Sequence, residues 1–435
     1  MDTKINYSLT EEELNLLSNI RDQENRYLTR LQSLKPTLLD LSIREPSVGT
    51  ALGHTVENKR SLLDLVKKMK FQDILLATFN YSLPDEPQPD DYFCQSLLDE
   101  GYDLTHCFAF TGVETKYQRR FEPDPSLLKL KQYRIPNTII DIDLNIKPDN
   151  YPLLIDNLHN SIRWILDNIL GDKDNDSKPR IYINYRDLPD AYHTAPQWVA
   201  EITKSLASLD GAVSAIAFED PRGTYFPFQI GAMTRLIRSF IPNKMHLLVH
   251  IHSGNGMENA CVIEALLAGA NGAWSGFNKE AAFIGHASNA ELLANLARCG
   301  NEHLGQYAMT ELLSVASDMR AINKLDSQPD DYPIIGSNAY RSMLSVFDQR
   351  NDRFMDLPPE RIGGHYGFRI SPIASDVNVI QGRLKELDIV HDAPDDVINE
   401  MRRIMRRDLH AGQRLNYDNK KVLTELYQRA MRAFM

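Results

Sequence analysis

The sequence predicts an α/β fold, in which eight parallel strands alternate with helices and close into a TIM (β/α)8 barrel. Eight short runs rich in β-branched or aromatic residues are the first observation, and the helix-like stretches between them are the second. Strands that alternate with helices pair in parallel through right-handed crossovers, and eight such units close a barrel. An open, doubly wound sheet is the alternative, and the count of eight favours the barrel.

The strand runs and helical stretches follow one another regularly along the chain. The predicted strands cover residues 38–43, 73–79, 105–111, 138–144, 180–185, 212–218, 245–251 and 272–275. The clearest helical stretches cover residues 57–69, 151–169, 195–209, 228–240 and 259–268. Together they predict a barrel domain over residues 36–305.

The regions before and after the barrel are predicted to be mainly helical. Residues 9–35 have the pattern of a long amphipathic helix, within an N-terminal extension that covers 1–35. After the barrel we expect a linker or subdomain over 306–375 and a C-terminal helical subdomain over 376–435.

Composition and charge exclude several classes of protein. The 435 residues are 43% hydrophobic and 25% charged, which is typical of soluble globular proteins. No apolar run reaches the roughly 18–20 residues of a membrane span, and the first residues lack the pattern of a secretory signal. Four cysteines without a C-x-x-C pair fit a reducing cytoplasm, and a net charge of −11 argues against nucleic acid. We therefore expect a cytoplasmic protein that binds neither membranes nor nucleic acid.

The strongest local signal is the pair His250 and His252 at the end of the seventh strand. Residues two apart on a strand share a face, so both imidazoles can point to the barrel mouth, where TIM-barrel active sites lie. Arg44 and Glu45 follow the first strand at the same rim. Two imidazoles and a carboxylate form a facial triad that leaves metal positions open for a substrate. Taken singly, each pair is equally compatible with a structural role.

These motifs together resemble the DRE-TIM metallolyase superfamily, which includes isopropylmalate, homocitrate and citramalate synthases and hydroxymethylglutaryl-CoA lyase. DLSIRE at 40–45 is similar to the family's D-x-T-L-R-[DE] opening, and DPRGTYFP at 220–227 to its D-T-x-G-x-x-x-P. Residues 250–270 resemble H-x-H-N-D-x-G-x-A-x-A-N…A-x-x-A-G-A without a gap. PIIGSNAY at 333–340 resembles a segment of the Claisen-condensation-like synthases, which favours them over the lyases.

The resemblance implies a divalent metal, Mg²⁺, Mn²⁺ or Zn²⁺, as cofactor. Glu45, His250 and His252 match the family's metal ligands. His286 stands where the family has an asparagine that contacts the metal, so it is either a further ligand or a space-filling residue.

The resemblance also implies catalytic and substrate-binding roles. Arg44 matches the arginine that polarises the substrate keto group, and Glu280 lies near a family glutamate, so both are predicted to be catalytic. His286 is a second candidate for the general base. Arg44, Arg186 and Asp187 are predicted to bind substrate.

Some positions depart from the family pattern. Leu76 and Arg186 stand where family members have glutamates, and Phe347 stands where the synthases carry a histidine thought to act as acid or base from the partner subunit. Because such groups tune proton transfer, an unusual substrate or a reassigned base is expected. The identity of the base stays open.

The function implied by the resemblance is that of a metal-dependent acyltransferase, acting as a homodimer. It would condense an acyl-CoA, in the first place acetyl-CoA, with a 2-oxo acid to give a 2-hydroxy dicarboxylic acid and CoA. The alternatives are a metal-dependent C–C lyase or aldolase on a related substrate, and a non-catalytic descendant that binds a metabolite.

Overall fold

The structure of the protein is a computed structural model that describes residues 9–45, 53–80, 87–113, 121–144, 150–169, 178–209, 211–280, 285–324, 329–330, 332–343 and 357–434. Its central strands form a closed barrel in which neighbours follow the chain order and the first strand pairs with the eighth. The predicted TIM barrel is confirmed. Phe347 lies outside the described residues.

The barrel strands are short, parallel and buried. They are β1 (Thr37–Asp40), β2 (Asp73–Thr78), β3 (Cys107–Thr111), β4 (Asn137–Asp143), β5 (Ile181–Arg186), β6 (Ala215–Asp220), β7 (His246–Ile251) and β8 (Gly272–Ser275). Leu39, Phe108, Ile139, Leu248 and Trp274 belong to one buried cluster that draws on strands around the whole barrel. Because side chains alternate along a strand, the interior also receives residues two and four positions beyond these.

Helices surround the barrel and alternate with its strands. They are α1 (Glu11–Ser33), α2 (Val56–Lys68), α3 (Pro89–Asp99), α4 (Pro125–Gln132), α5 (Tyr151–Asn168), α6 (Leu188–Thr194), α7 (Pro196–Ala207), α8 (Pro227–Phe240), α9 (Glu258–Ala268) and α10 (Asn289–Arg298). In α2, a capping box from Thr55 and Asn58 starts the helix, and Leu62, Leu63 and Val66 form its buried face. Within the described part of the chain, no helix combines the length and apolarity that a membrane crossing requires.

The chain divides into two compact units, Met1–Ala308 with Asp318–Ser327, and Met309–Ser317 with Gln328–Met435. After the barrel come α11 (Leu312–Asn323), a small parallel pair of β9 (Arg341–Ser342) and β10 (Gly367–Phe368), and the helices α12 (Val377–Glu386), α13 (Asp395–His410) and α14 (Lys420–Met431). The last three helices bury a core of their own, which includes Ile380, Met401 and Leu426. The four segments proposed from the sequence stay a prediction.

Candidate metal centre at the barrel mouth

Strand alternation brings three polar side chains to the interior at the carboxyl end of the barrel. On β7, His250 lies two residues beyond the interior Leu248, and His252 lies two further. On β6, Glu219 follows the interior Ala217 in the same way and is the register partner of His250. The three side chains therefore enter the barrel mouth from adjacent strands.

The ligand atoms of Glu219, His250 and His252 lie within 4.8 Å of one another. The two Nε2 atoms are 3.1 Å apart, and His252 Nε2 is 3.5 Å from Glu219 Oε1. Ligands about 2.0–2.1 Å from a shared ion, at angles between 90° and 110°, have donor atoms about 2.8–3.4 Å apart. The spacing fits one divalent ion, and the donor set is that of a facial triad.

His250 is held as a neutral imidazole. Its Nδ1 lies 2.6 Å from the backbone oxygen of Trp274, which can only accept, so Nδ1 carries the proton and Nε2 presents its lone pair. Burial and the charges of His252 and Arg44 hold the pKa of His250 well below its usual value. Both imidazoles are buried, and His252 Nδ1 has no hydrogen-bond partner among the described residues.

A polar network extends from Glu219 across β5 and β4. The Asn184 side-chain amide donates to Glu219 Oε2 at 3.0 Å and to Asp141 Oδ1 at 2.9 Å. The Arg186 guanidinium donates to Asp141 and to Asp143, both at 3.1 Å. Alternation explains this network as well, because Asp141 and Asn184 follow the interior residues of their strands by two positions.

The two carboxylates joined by Asn184 have opposite pKa shifts. Burial and the charge of Glu219 raise the pKa of Asp141 to about 7, although Arg186 and Asn184 oppose the shift. Burial also acts to raise the pKa of Glu219, but the hydrogen bond and charge of His252, together with Asn184, lower it overall. Glu219 is therefore anionic at neutral pH, whereas Asp141 can gain or lose a proton there.

The chain also resembles known proteins. No family model matches it. It is 21% identical over 225 residues to a Methanopyrus kandleri protein with the provisional name (R)-citramalate synthase, a match that covers 50% of this chain and 43% of that protein. The chain thus matches less than half the length of this curated relative.

Solved structures of hydroxymethylglutaryl-CoA lyases share the fold. The enzyme from Bacillus subtilis has a TM-score of 0.50 at 14% identity, covering 67% of this chain and 94% of that one. The enzyme from Pseudomonas aeruginosa has a TM-score of 0.52 at 12% identity, covering 68% and 95%. The resemblance to the DRE-TIM metallolyases is confirmed. At such low identity, the likeness to the lyases is one of fold.

The carboxylate that converges on the histidines is not the one that the DRE-TIM resemblance implies. Among the described residues, the converging group contains Glu219 and does not contain Glu45. Glu45 is buried and forms an ion pair with Arg44, whose Nε donates to Thr78 at 2.7 Å. The ligand role of Glu45 stays a prediction, and Glu219 is a ligand candidate absent from the set predicted by sequence.

Arg44 is buried at the mouth of the barrel, and its predicted catalytic and substrate-binding roles stay predictions. Its guanidinium carbon is 4.7 Å from the ring centroid of Phe110, an interior residue of β3. Its charge also contributes to the pKa shifts of His250 and Glu219, which places it within electrostatic reach of the proposed metal ligands. An arginine held by Thr78 and Glu45 is positioned to stabilise negative charge on a substrate oxygen.

His286 is next to the pair, but its nitrogens are engaged. Its ring centroid is 5.1 Å from that of His250. Its Nε2 accepts from the Gly276 amide at 3.2 Å, and its Nδ1 donates to the Ala287 oxygen at 2.8 Å. Binding a metal would break the bond to Gly276. Glu280 is also buried, and its role as base, like that of His286, stays a prediction.

The predicted substrate-binding residues Arg186 and Asp187 lie at the rim, at the end of β5. Arg186 is 42% exposed while it binds Asp141 and Asp143. Asp187 accepts from the Arg222 guanidinium at 3.0 Å, and burial raises its pKa despite that partner. Both stand at the entrance, and their contact with substrate stays a prediction.

The loop after β6 is packed against the end of β7. Asp220 accepts hydrogen bonds from the backbone amides of Arg222, Gly223 and Tyr225, which explains the aspartate of the DPRG motif. Gly223 has a φ of +57°, and a Cβ there would lie 2.0 Å from the backbone oxygen of His252. Only glycine fits this position, since it tolerates the left-handed backbone and leaves room for the contact.

Proposed function

We propose that this chain is a metal-dependent acyltransferase that condenses an acyl-CoA, in the first place acetyl-CoA, with a 2-oxo acid. The products would be a 2-hydroxy dicarboxylic acid and CoA. The observation that carries the proposal is the convergence of Glu219, His250 and His252 at the barrel mouth, close to Arg44. The relative named as a citramalate synthase supports this reaction class.

The metal would be held by His250, His252 and one carboxylate, Glu219 or Glu45. When bound, a divalent ion polarises the keto group of a chelated 2-oxo acid. The choice among Mg²⁺, Mn²⁺ and Zn²⁺ is open, because oxygen and nitrogen donors accept all three.

The chain's own residues would perform the remaining steps. Arg44 would stabilise the negative charge that develops on the keto oxygen as the new bond forms. A base would remove a proton from the carbon next to the thioester, and that carbon would attack the keto carbon. Besides Glu280 and His286, Asp141 is a candidate base, because its pKa of about 7 suits proton transfer at neutral pH. Water would then cleave the thioester and release CoA.

The test is to incubate the purified protein with acetyl-CoA, a panel of 2-oxo acids and each divalent metal, and to follow free thiol. The proposal expects thiol release that requires both an oxo acid and a metal, with the oxo-acid carbons recovered in a hydroxy diacid. The protein is also incubated with a hydroxyacyl-CoA and no oxo acid. Cleavage of that substrate would instead identify the C–C lyase, to which the fold is equally suited. Metal binding without turnover of any substrate would favour the non-catalytic alternative.

We also propose a homodimer, as in the family, and sedimentation of the purified chain would measure its mass in solution.

A further inference from the structure

A cavity lies at the end of the barrel opposite the candidate metal centre. It has a volume of about 700 Å³ and lies where the strands begin, next to Thr37 of β1, Asp73 of β2 and His246 of β7. We call it the base cavity. All its lining residues belong to the barrel unit. Because the strands run in parallel, it is separated from the metal centre by the interior core of the barrel.

The lining of the base cavity is strongly cationic. Lys35, Lys70, Arg180 and Lys244 all line it, and Asp73 is the one carboxylate among the described lining residues. This contrasts with the chain as a whole, which carries a net charge of −11. A concave site lined by one sign of charge concentrates the field inside it.

Asp73 does not offset the charges of Lys35 and Lys70, because it already has other partners. It accepts from Arg180 Nη1 at 2.8 Å, and its other oxygen lies 3.1 Å from His106 Nδ1. Lys35 and Lys70 are exposed side chains at the edge of the cavity. The positive charges of Lys35 and Lys70 are therefore available to a molecule that enters.

One histidine, His246, also lines the cavity. Burial and the charges of Arg238 and Arg180 lower the pKa of His246, despite the opposing charge of Asp73. Its Nδ1 lies 3.2 Å from the Thr37 hydroxyl. His246 is therefore neutral near pH 7, with hydrogen-bonding capacity but no further charge.

The rest of the lining mixes polar side chains, such as Gln72 and Asn271, with apolar and aromatic ones. The apolar and aromatic part comes from Leu38, Tyr182, Val213, Met245 and Tyr307. A volume of about 700 Å³ lies within the range of sites that enclose small metabolites. The cavity thus suits a molecule that has several negative charges together with hydrogen-bonding and apolar groups.

The amino end of a TIM barrel normally serves stability. Stability alone gives no reason to collect cations around an open cavity, because like charges repel each other. We propose that the base cavity binds a small polyanion, carrying phosphate or several carboxylate groups, at a site separate from the metal centre. A bound polyanion offsets the positive charge and fills the apolar part of the lining.

The experiment is calorimetric titration of the full-length, metal-free protein with three probes: pyrophosphate, ATP and citrate. At least one probe is expected to bind, with an affinity that falls as salt is added. Binding of ATP and pyrophosphate would identify phosphate as the recognised group, and binding of citrate alone would identify carboxylate.

Two pairs of variants locate the binding. K35A/K70A is expected to weaken it about tenfold or more, since each exposed lysine contributes through the field of the site. K420A/K421A removes the same charge from exposed positions of α14 and should bind as the wild type does. H250A/H252A should also bind normally. Equal affinity in both lysine variants, or no binding of any probe at millimolar concentration, would overturn the proposal.

Discussion

The two ends of the barrel carry polar side chains on the same interior faces of the strands, but they differ in how far positive and negative charges are paired. On β7 alone, His246 belongs to the base and His250 to the mouth. At the mouth, each carboxylate faces a specific partner, as Glu219 faces His252 and Asp141 faces Arg186. At the base, cations outnumber the described carboxylates of the lining. Paired charges hold groups in a fixed geometry, whereas a surplus of one sign of charge favours the binding of an oppositely charged ligand.

The largest expected effect comes from His252→Ala, which removes one of the two imidazoles from the mouth. Divalent-metal affinity should fall by more than the 10–100-fold that is typical of losing an outer hydrogen-bond partner, and activity should fall to background. His246→Ala, on the same strand but at the base, is the matched control. Metal content after dialysis and competition with a chelator measure the effect. An H252A protein that retains metal like the wild type would disprove the proposed centre.

Asp141→Asn should produce the next largest effect, on rate and on pH dependence. Because burial raises the pKa of Asp141 to about 7, the carboxylate form needed by a base becomes populated as pH rises through that value. Wild-type kcat/KM should therefore rise through about pH 7, while D141N loses this limb and about 100-fold or more in rate.

Asp143→Asn is the control for Asp141, because it changes the other carboxylate that binds Arg186. A pH profile that is the same for D141N and the wild type would assign the base to Glu280 or His286 instead.

A comparison of Glu219→Gln with Glu45→Gln decides which carboxylate completes the metal centre. Glutamine keeps the shape of glutamate and an acceptor for Asn184, but it is a weaker ligand. We expect E219Q to weaken metal binding about 10–100-fold and E45Q to weaken it less. If E45Q weakened metal binding more than E219Q, Glu45 would be the carboxylate ligand, as the family resemblance implies.

The smallest expected effect is a pH-dependent change in stability at Asp40, which is fully buried and accepts from the Ser42 amide at 2.9 Å. Burial raises its pKa from 3.8 to about 7 against the opposing hydrogen bonds. Its contribution to stability is complete below the unfolded pKa and is lost as pH rises through about 7. The melting temperature of the metal-free wild type should therefore fall more between pH 5 and pH 8 than that of D40N. D64N, at an exposed position of α2, should follow the wild type.

The barrel and the histidine pair could be predicted because both depend on local patterns. Strand runs are visible as apolar segments, and two histidines two residues apart share a face by geometry alone. Glu219, Asn184 and Asp141 were harder to predict, since they lie on three different strands and meet only through the register of the closed barrel. His286 shows the same limit for loops, because its bond to Gly276 depends on how the segment between β8 and α10 folds back on itself.

The requirement for glycine at position 223 helps to predict which related sequences can bind a metal. A side chain there would collide with the carbonyl of His252 and force apart the two strands that deliver the proposed ligands. Relatives that keep every ligand but replace this glycine are thus expected to have lost the ability to load an ion. Glycine at 223 is therefore expected to predict metal binding in related sequences better than any single acidic residue does.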